Sequence, residues 1–162
     1  MAAVDYFLKI DGVQGESADS EHQGEIDVLS WSWGETQSGS MAYGGGGGSG
    51  KVSMQDFQFV MHVCKASPKL LEACASGQHF GSATLVARKA GDGQKKYLQI
   101  KFTDTLVSSF QTGGSGSGDV VPVDQISLNY SKIEYEYQAQ EKGGSTGGAV
   151  RAGWDLKTNK KA

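Results

Sequence analysis

Three groups of residues have the type and spacing to do chemistry. The first is Gly45 to Gly50 followed by Lys51, which nearly spells the phosphate-binding pattern G-x-x-x-x-G-K-[ST]. Such a loop presents backbone N–H groups and a lysine to phosphates, with a hydroxyl on the next residue for magnesium and a helix amino end behind it. Here Val52 stands where the hydroxyl is needed, and the residues beyond it alternate like a strand. Nucleotide binding is therefore not expected, and the run reads as a loop. The second group is Cys64 and Cys74 with His62 and His79. Four such side chains can hold zinc, but neither pair has the tight C-x-x-C spacing of a structural site. Cys74 also falls on the apolar face of a predicted helix, where a reduced thiol acts as a small hydrophobe. No metal and no cofactor is expected. The third group is serine with histidine: no serine sits in a nucleophile elbow, and the histidines have no acid partner in sequence. An enzyme is not expected.

What remains is the stretch that would position everything else, Glu25-Ile26-Asp27-Val28-Leu29-Ser30-Trp31-Ser32-Trp33-Gly34. Successive side chains of a strand point to opposite faces. Leu29, Trp31 and Trp33 then share one face, and Ile26, Val28, Ser30 and Ser32 share the other. Burying a large aromatic removes about 150–250 Å² from water, or about 4–6 kcal/mol at 25 cal/mol per Å². Trp31 and Trp33 are therefore placed in the core, and Trp31→Ala is expected to cost about 3–5 kcal/mol. Asp27 on the aromatic face, and the apolar pair Ile26 and Val28 on the serine face, break the pattern.

The rest of the chain reads as short strands around one helix. Val4 to Ile10 alternates, with Tyr6, Leu8 and Ile10 on one face, and ends at Asp11-Gly12. Val13 to Gly24 is a polar loop, and Lys51 to Val63 alternates again, setting Phe57, Phe59 and Met61 opposite Gln58 and Val60. Ser67 as N-cap, Pro68 in the first turn and Gly77 as a left-handed stop frame the helix, with Leu70, Leu71, Ala73 and Cys74 toward a sheet. Ala83 to Lys89, Lys96 to Thr103 and Thr105 to Thr112 follow as strands, and the step from Tyr130 to Ile133 signals a bulge or bend. Trp154 and Leu156 share a face of the last strand. The class is mainly β, a barrel or sandwich. Three Gly/Ser runs look like linkers, but the pieces between them are too short to fold alone, so they are loops of one body spanning residues 1–162.

A chain of 162 residues can hold a core without staples. Its net charge of -3 argues against a nucleic-acid binder. No apolar run reaches a membrane span, and the amino end lacks the pattern of a signal peptide. The protein is expected in the cytoplasm when made, and any export must use another route.

The residues from Glu25 to Gly34, Ser38-Gly39-Ser40, Gly44 to Val52 and Gln55-Asp56-Phe57 resemble the Hcp family, the haemolysin-coregulated proteins of bacterial type VI secretion. The likeness continues through Ser67-Pro68, Cys74, Ser76-Gly77, Arg88 to Gly91, Val107-Ser108-Ser109 and Gly153-Trp154, in order along the chain. With no further domain after Trp154, the chain resembles the plain tube subunit. The resemblance implies two packed antiparallel sheets forming a barrel with a flanking helix, like a phage tail tube. It implies a homohexameric ring, rings stacked into a tube, effector proteins carried in the lumen, and contact with VgrG-type spike and contractile sheath proteins. Export to the extracellular space or a target cell would follow. Ser32 matches the family's lumen position, and by strand parity Ser30 and Val28 would line the bore beside it. The resemblance places Gly44, Gly46, Gly48, Gly91 and Lys157 at the stacking rims. Acidic residues near Asp19 and the terminal lysines would add complementary charge at those rims. A monomeric β-sandwich that binds carbohydrate or protein is the alternative.

Overall fold

One strand belongs to both walls of the molecule. In the computed structural model, which describes residues 4–38, 51–89, 94–118, 121–140 and 146–162, the strand β8 (Lys96–Gly113) runs without interruption through the position where the sequence suggests two strands. The joint is Asp104, whose φ is 55°. Aspartate tolerates this left-handed region better than most side chains, so the strand turns a corner there instead of ending.

Each half of β8 builds its own wall. The first half pairs with β7 (His79–Lys89) on one side and β10 (Lys132–Gln140) on the other. The first wall continues from β10 to β11 (Thr146–Asp155) and β12 (Lys160–Lys161), and from β7 to β1 (Val4–Ile10) and β2 (Ile26–Asp27). The second half of β8 pairs with β9 (Val123–Asn129), which pairs with β6 (Phe57–His62), which pairs with β3 (Ser30–Ser32). All these pairings are antiparallel, and a separate ribbon joins β4 (Glu35–Thr36) to β5 (Ser53–Met54). The expected bend between Tyr130 and Ile133 lies where the chain leaves β9 beside the second half of β8 and enters β10 beside the first.

The segment from β2 to β3 closes the other side, and it corrects the expected faces. Val28 N–H donates to the Tyr6 carbonyl of β1, while Leu29 N–H donates to the Val60 carbonyl of β6. The chain changes partner between these two residues, and its alternation slips by one. Ile26 and Val28 are thus buried in the core, whereas Leu29, expected beside the tryptophans, is 48% exposed. Asp27 points away from the core, which removes the conflict in the simple strand reading.

Between the walls, Trp31, Phe57, Phe102 and Tyr130 form an aromatic ladder, with ring centroids 6.2 Å, 4.7 Å and 4.7 Å apart in turn. The helix α1 (Ala66–Ser76) covers one flank, burying Leu70 and Ala73. Gly77 ends it at φ 69°, as its position predicts. Leu71, expected on the packed face, is 53% exposed. The helix starts at Ala66, before the expected cap. Ser67 lies inside the first turn, where its hydroxyl accepts the Cys64 N–H at 3.1 Å and donates to the fully buried Asp124 carboxylate at 2.5 Å. The Ser67–Asp124 bond ties the helix to β9. Ser67→Ala is expected to cost about 1.5–3 kcal/mol, because a buried carboxyl loses its partner. A denaturant midpoint unchanged by that substitution would refute the tie.

Candidate functional site

The outward face of the second wall carries serine, glutamine and valine side chains. Strand register sets its residues in two rows that cross β3, β6, β9 and β8. One row is Ser32, Gln58, Ser127 and Ser109; the next is Ser30, Val60, Gln125 and Gln111. The intervening residues Phe59 and Ile126 point inward and are 1% exposed each. With strands about 4.8 Å apart, the four span about 15 Å. The rows frame an open hollow of about 380 Å³.

Neither row holds a charged side chain. Hydroxyls and amides both donate and accept hydrogen bonds, so this face can meet polar surfaces of many kinds without selecting by charge. It has no titratable group to move a proton. The arrangement is suited to contact.

The structure brings Ser30 and Ser32 onto this face together. It separates Val28 from them: that side chain is 7% exposed and packs in the core, a consequence of the slip at Leu29. Parity marks Gln58, Gln125, Ser127, Ser109 and Gln111 as outward residues, but the sequence does not link them to Ser30 and Ser32. Each stands one residue away from an inward-facing apolar neighbour.

Behind the face, Trp31 and Trp33 are half-buried and packed against the core cluster instead of lying within it. Trp31 meets Tyr6 edge-on, with centroids 6.0 Å apart. The Trp33 indole N–H donates to the Tyr130 hydroxyl, which donates to the Gln55 carbonyl at 2.7 Å. Burial pushes the Tyr130 phenol up to about 12, so it remains a donor at any physiological pH.

Charge is concentrated elsewhere. Arg88 on β7 is 2% exposed, and its guanidinium grips the Asp19 carboxylate with both terminal nitrogens. Asp5 at 3.6 Å and Glu21 at 3.7 Å complete the cluster, and the guanidinium lies 4.9 Å from the Phe7 ring. The Arg88 hydrogen bonds hold Asp19 down at about 2. Asp19 is thus engaged within its own chain. Lys157 likewise pairs internally, its ammonium 2.8 Å from Asp104, which also contacts His79 at 3.1 Å. Lys157 lowers the Asp104 carboxyl, with His79 adding to the effect.

Gly44, Gly46, Gly48 and Gly91 lie outside the described residues. Beyond Lys51 the chain forms β5, not the helix that a phosphate loop requires. Cys64 and Cys74 are free thiols, and burial raises the Cys64 thiol. Among the described residues no group of three or more histidine, cysteine or acidic side chains is placed to hold a metal, and no helix is long and apolar enough to cross a membrane.

Comparison with known proteins gives a consistent result. Residues 7–137 match the family model described as "Type VI secretion system effector, Hcp". The chain is 48% identical over 162 residues to Protein hcp1 of Pseudomonas aeruginosa, covering 99% of each. Its structure is similar to that of Hcp1 from Salmonella typhimurium, with TM-score 0.85 and 41% identity over 99% of this chain and 100% of that one. A further solved type six secretion system protein matches with TM-score 0.93 and 34% identity, again over 99% and 100% of the two chains.

Proposed function

Since this chain belongs to the Hcp family of type VI secretion proteins, we propose that it is the structural subunit of the secretion tube. As a single tube-subunit domain it forms hexameric rings that stack, carries effector proteins in the bore, and does no catalysis itself. It is made in the cytoplasm and leaves through the secretion machine, together with VgrG-type spike proteins and inside a contractile sheath.

One observation carries this reading: a charge-free serine and glutamine face lies between two free sheet edges. Among the described residues, within the second wall β3 pairs only with β6, and residues 107–113 of β8 pair only with β9. Unpaired edges invite pairing with another chain. A head-to-tail contact joins two different surfaces and closes into a ring when the rotation allows. Joining the β3 edge to the β8 edge of the next copy extends the uncharged face into a continuous wall, with Ser32 and Ser30 toward the hole. Gly91, Lys157 and the glycine run from Gly44 to Gly48 then belong to the stacking rims. Because Lys157 is already paired, and exposed ion pairs contribute about 0–1 kcal/mol each, stacking is weak and draws on repetition around the ring.

Ser32→Gln is the direct test. The hexamer is expected to persist in native mass spectrometry, while co-purified effector falls about tenfold or more, equivalent to at least 1.4 kcal/mol. Loss of the hexamer would place Ser32 at a subunit contact and overturn the bore assignment. A wild-type chain that stays monomeric at micromolar concentration would favour a solitary ligand-binding sandwich instead.

A further inference from the structure

Strand β8 carries an extra residue where it enters the second wall. Thr105 and Val107 point inward, at 0% and 2% exposed. Unbroken alternation would then turn Ser109 and Gln111 inward and Phe110 outward. The opposite is found. Phe110 packs against the core cluster, while Ser109 and Gln111 line the hollow of the uncharged face. The register gives the cause: Val107 pairs with Leu128 and Ser109 with Ser127, so one step along β9 spans two along β8. Ser108 is the residue of a β-bulge, a device that re-aims the side chains beyond it.

A bulged residue leaves the ladder, so it needs another hold. The Ser108 hydroxyl donates to Oδ2 of Asp56 at 2.5 Å, and the Asn129 side-chain amide donates to Oδ1 of the same carboxylate at 2.9 Å. Asp56 stands immediately before β6, and Asn129 ends β9. One carboxylate therefore clips three strands together at the bulge. Both bonds have an ionised acceptor, which makes them the stronger kind. Phe110 favours the same phase, but it is only half-buried. Among the described residues this part of β8 also has a partner on one side alone. Packing by itself leaves the phase weakly held.

We propose that Asp56 is a positioning residue for the uncharged face: it locks the Ser108 bulge, and the locked bulge sets Ser109 and Gln111 beside Ser127 and Gln125. Asp56 needs no contact with cargo to do this. The functional consequence rests on the bore reading above. A slip of β8 by one residue would replace two polar side chains by a phenyl ring on the surface that meets the effector.

Hydrogen exchange and native mass spectrometry of the full chain test this with two substitutions, circular dichroism verifying the fold. Asp56→Ala removes both bonds. Amide exchange over residues 107–113 is expected to quicken about tenfold or more, while exchange over His79–Lys89 stays unchanged. The hexamer is expected to persist, with the effector that co-purifies with it reduced about tenfold. Asp56→Asn is expected to bring both readouts back to within about twofold of wild type, because an amide still accepts from Asn129 and can donate to the Ser108 hydroxyl. Wild-type exchange over residues 107–113 in Asp56→Ala would overturn the proposal. So would an effector load that is unchanged despite faster exchange, or one that falls equally in both variants at wild-type exchange, which would make the charge itself the contact. Loss of the hexamer in Asp56→Ala would overturn it too, by placing Asp56 at a subunit contact. If Asp56→Ala does not fold, Ser108→Ala takes its place, with the same local quickening expected and an unchanged rate contradicting the lock. A wild-type ring that carries no effector would overturn the bore reading, while the exchange pattern still decides the role of Asp56.

Discussion

Replacing Phe57 with alanine is expected to destabilise the folded chain by about 3–5 kcal/mol. Phe57 is 0% exposed and stands at the centre of the aromatic ladder, 4.7 Å from Phe102, 5.9 Å from Phe59 and 6.2 Å from Trp31 by ring centroids. Both walls depend on it, because Phe102 belongs to the half of β8 that builds the first wall and Phe57 to the second. Close-packed interiors collapse only partly around a deletion, so a cavity remains. For a chain of this length the loss corresponds to about 6–20 °C in thermal midpoint. Trp31→Ala, which sequence alone suggests as the costly substitution, is expected to cost less, since Trp31 is only half-buried whereas Phe57 is fully buried. Thermal unfolding at one fixed protomer concentration, which controls for assembly, settles the order. A Trp31 variant less stable than the Phe57 variant would contradict the placement of the core.

The second large effect is expected at Arg88. Its guanidinium is buried and faces Asp5, Asp19 and Glu21. Arg88→Met keeps much of the volume but leaves three carboxylates grouped without their cation, at an expected cost of about 3 kcal/mol near neutral pH. The loss has a definite pH dependence. Asp19 is held at about 2 against an ordinary 3.8. A lowered carboxyl contributes stability that is complete above its ordinary value and lost as pH falls through its folded value. The gap between wild type and Arg88→Met is therefore expected to narrow as pH falls from about 4 to about 2. Urea titrations at several pH values measure it. A gap that stays constant across that range would show that Arg88 acts through packing alone.

Much of this organisation is legible in the residues. Alternation locates β1, the Tyr130–Ile133 bend marks the passage from β9 to β10, and Gly77 ends α1 where a left-handed residue is needed. Alternation fails where a strand changes partner. Between Val28 and Leu29 the chain passes from β1 to β6, the side-chain phase slips, and Val28 moves from the expected bore to the core while Leu29 moves out. A sequence does not reveal which neighbour supplies each hydrogen bond, so such a slip is invisible until the pairing is known. The same holds for β8, where Asp104 reads as a break and is a corner. Of the uncharged face, Ser30 and Ser32 stand out because tryptophans flank them. Gln58, Gln125 and Gln111 do not, since an outward glutamine on a strand resembles any solvated residue. Their meaning comes from register, which brings them into rows with the serines. Arg88 is the opposite case, a charged residue in an apolar strand whose partners lie far away in sequence, Asp5 on β1 and Asp19 and Glu21 in the loop before β2.

The central claim is that this polypeptide acts as a repeating wall segment around a hole. Electron cryomicroscopy of the purified wild-type protein tests it most directly. The predicted result is sixfold annular particles whose inner surface is the face bearing Ser32, Gln58, Ser127 and Ser109. Isolated protomers at every salt and protein concentration, or rings with that face turned outward, would contradict it.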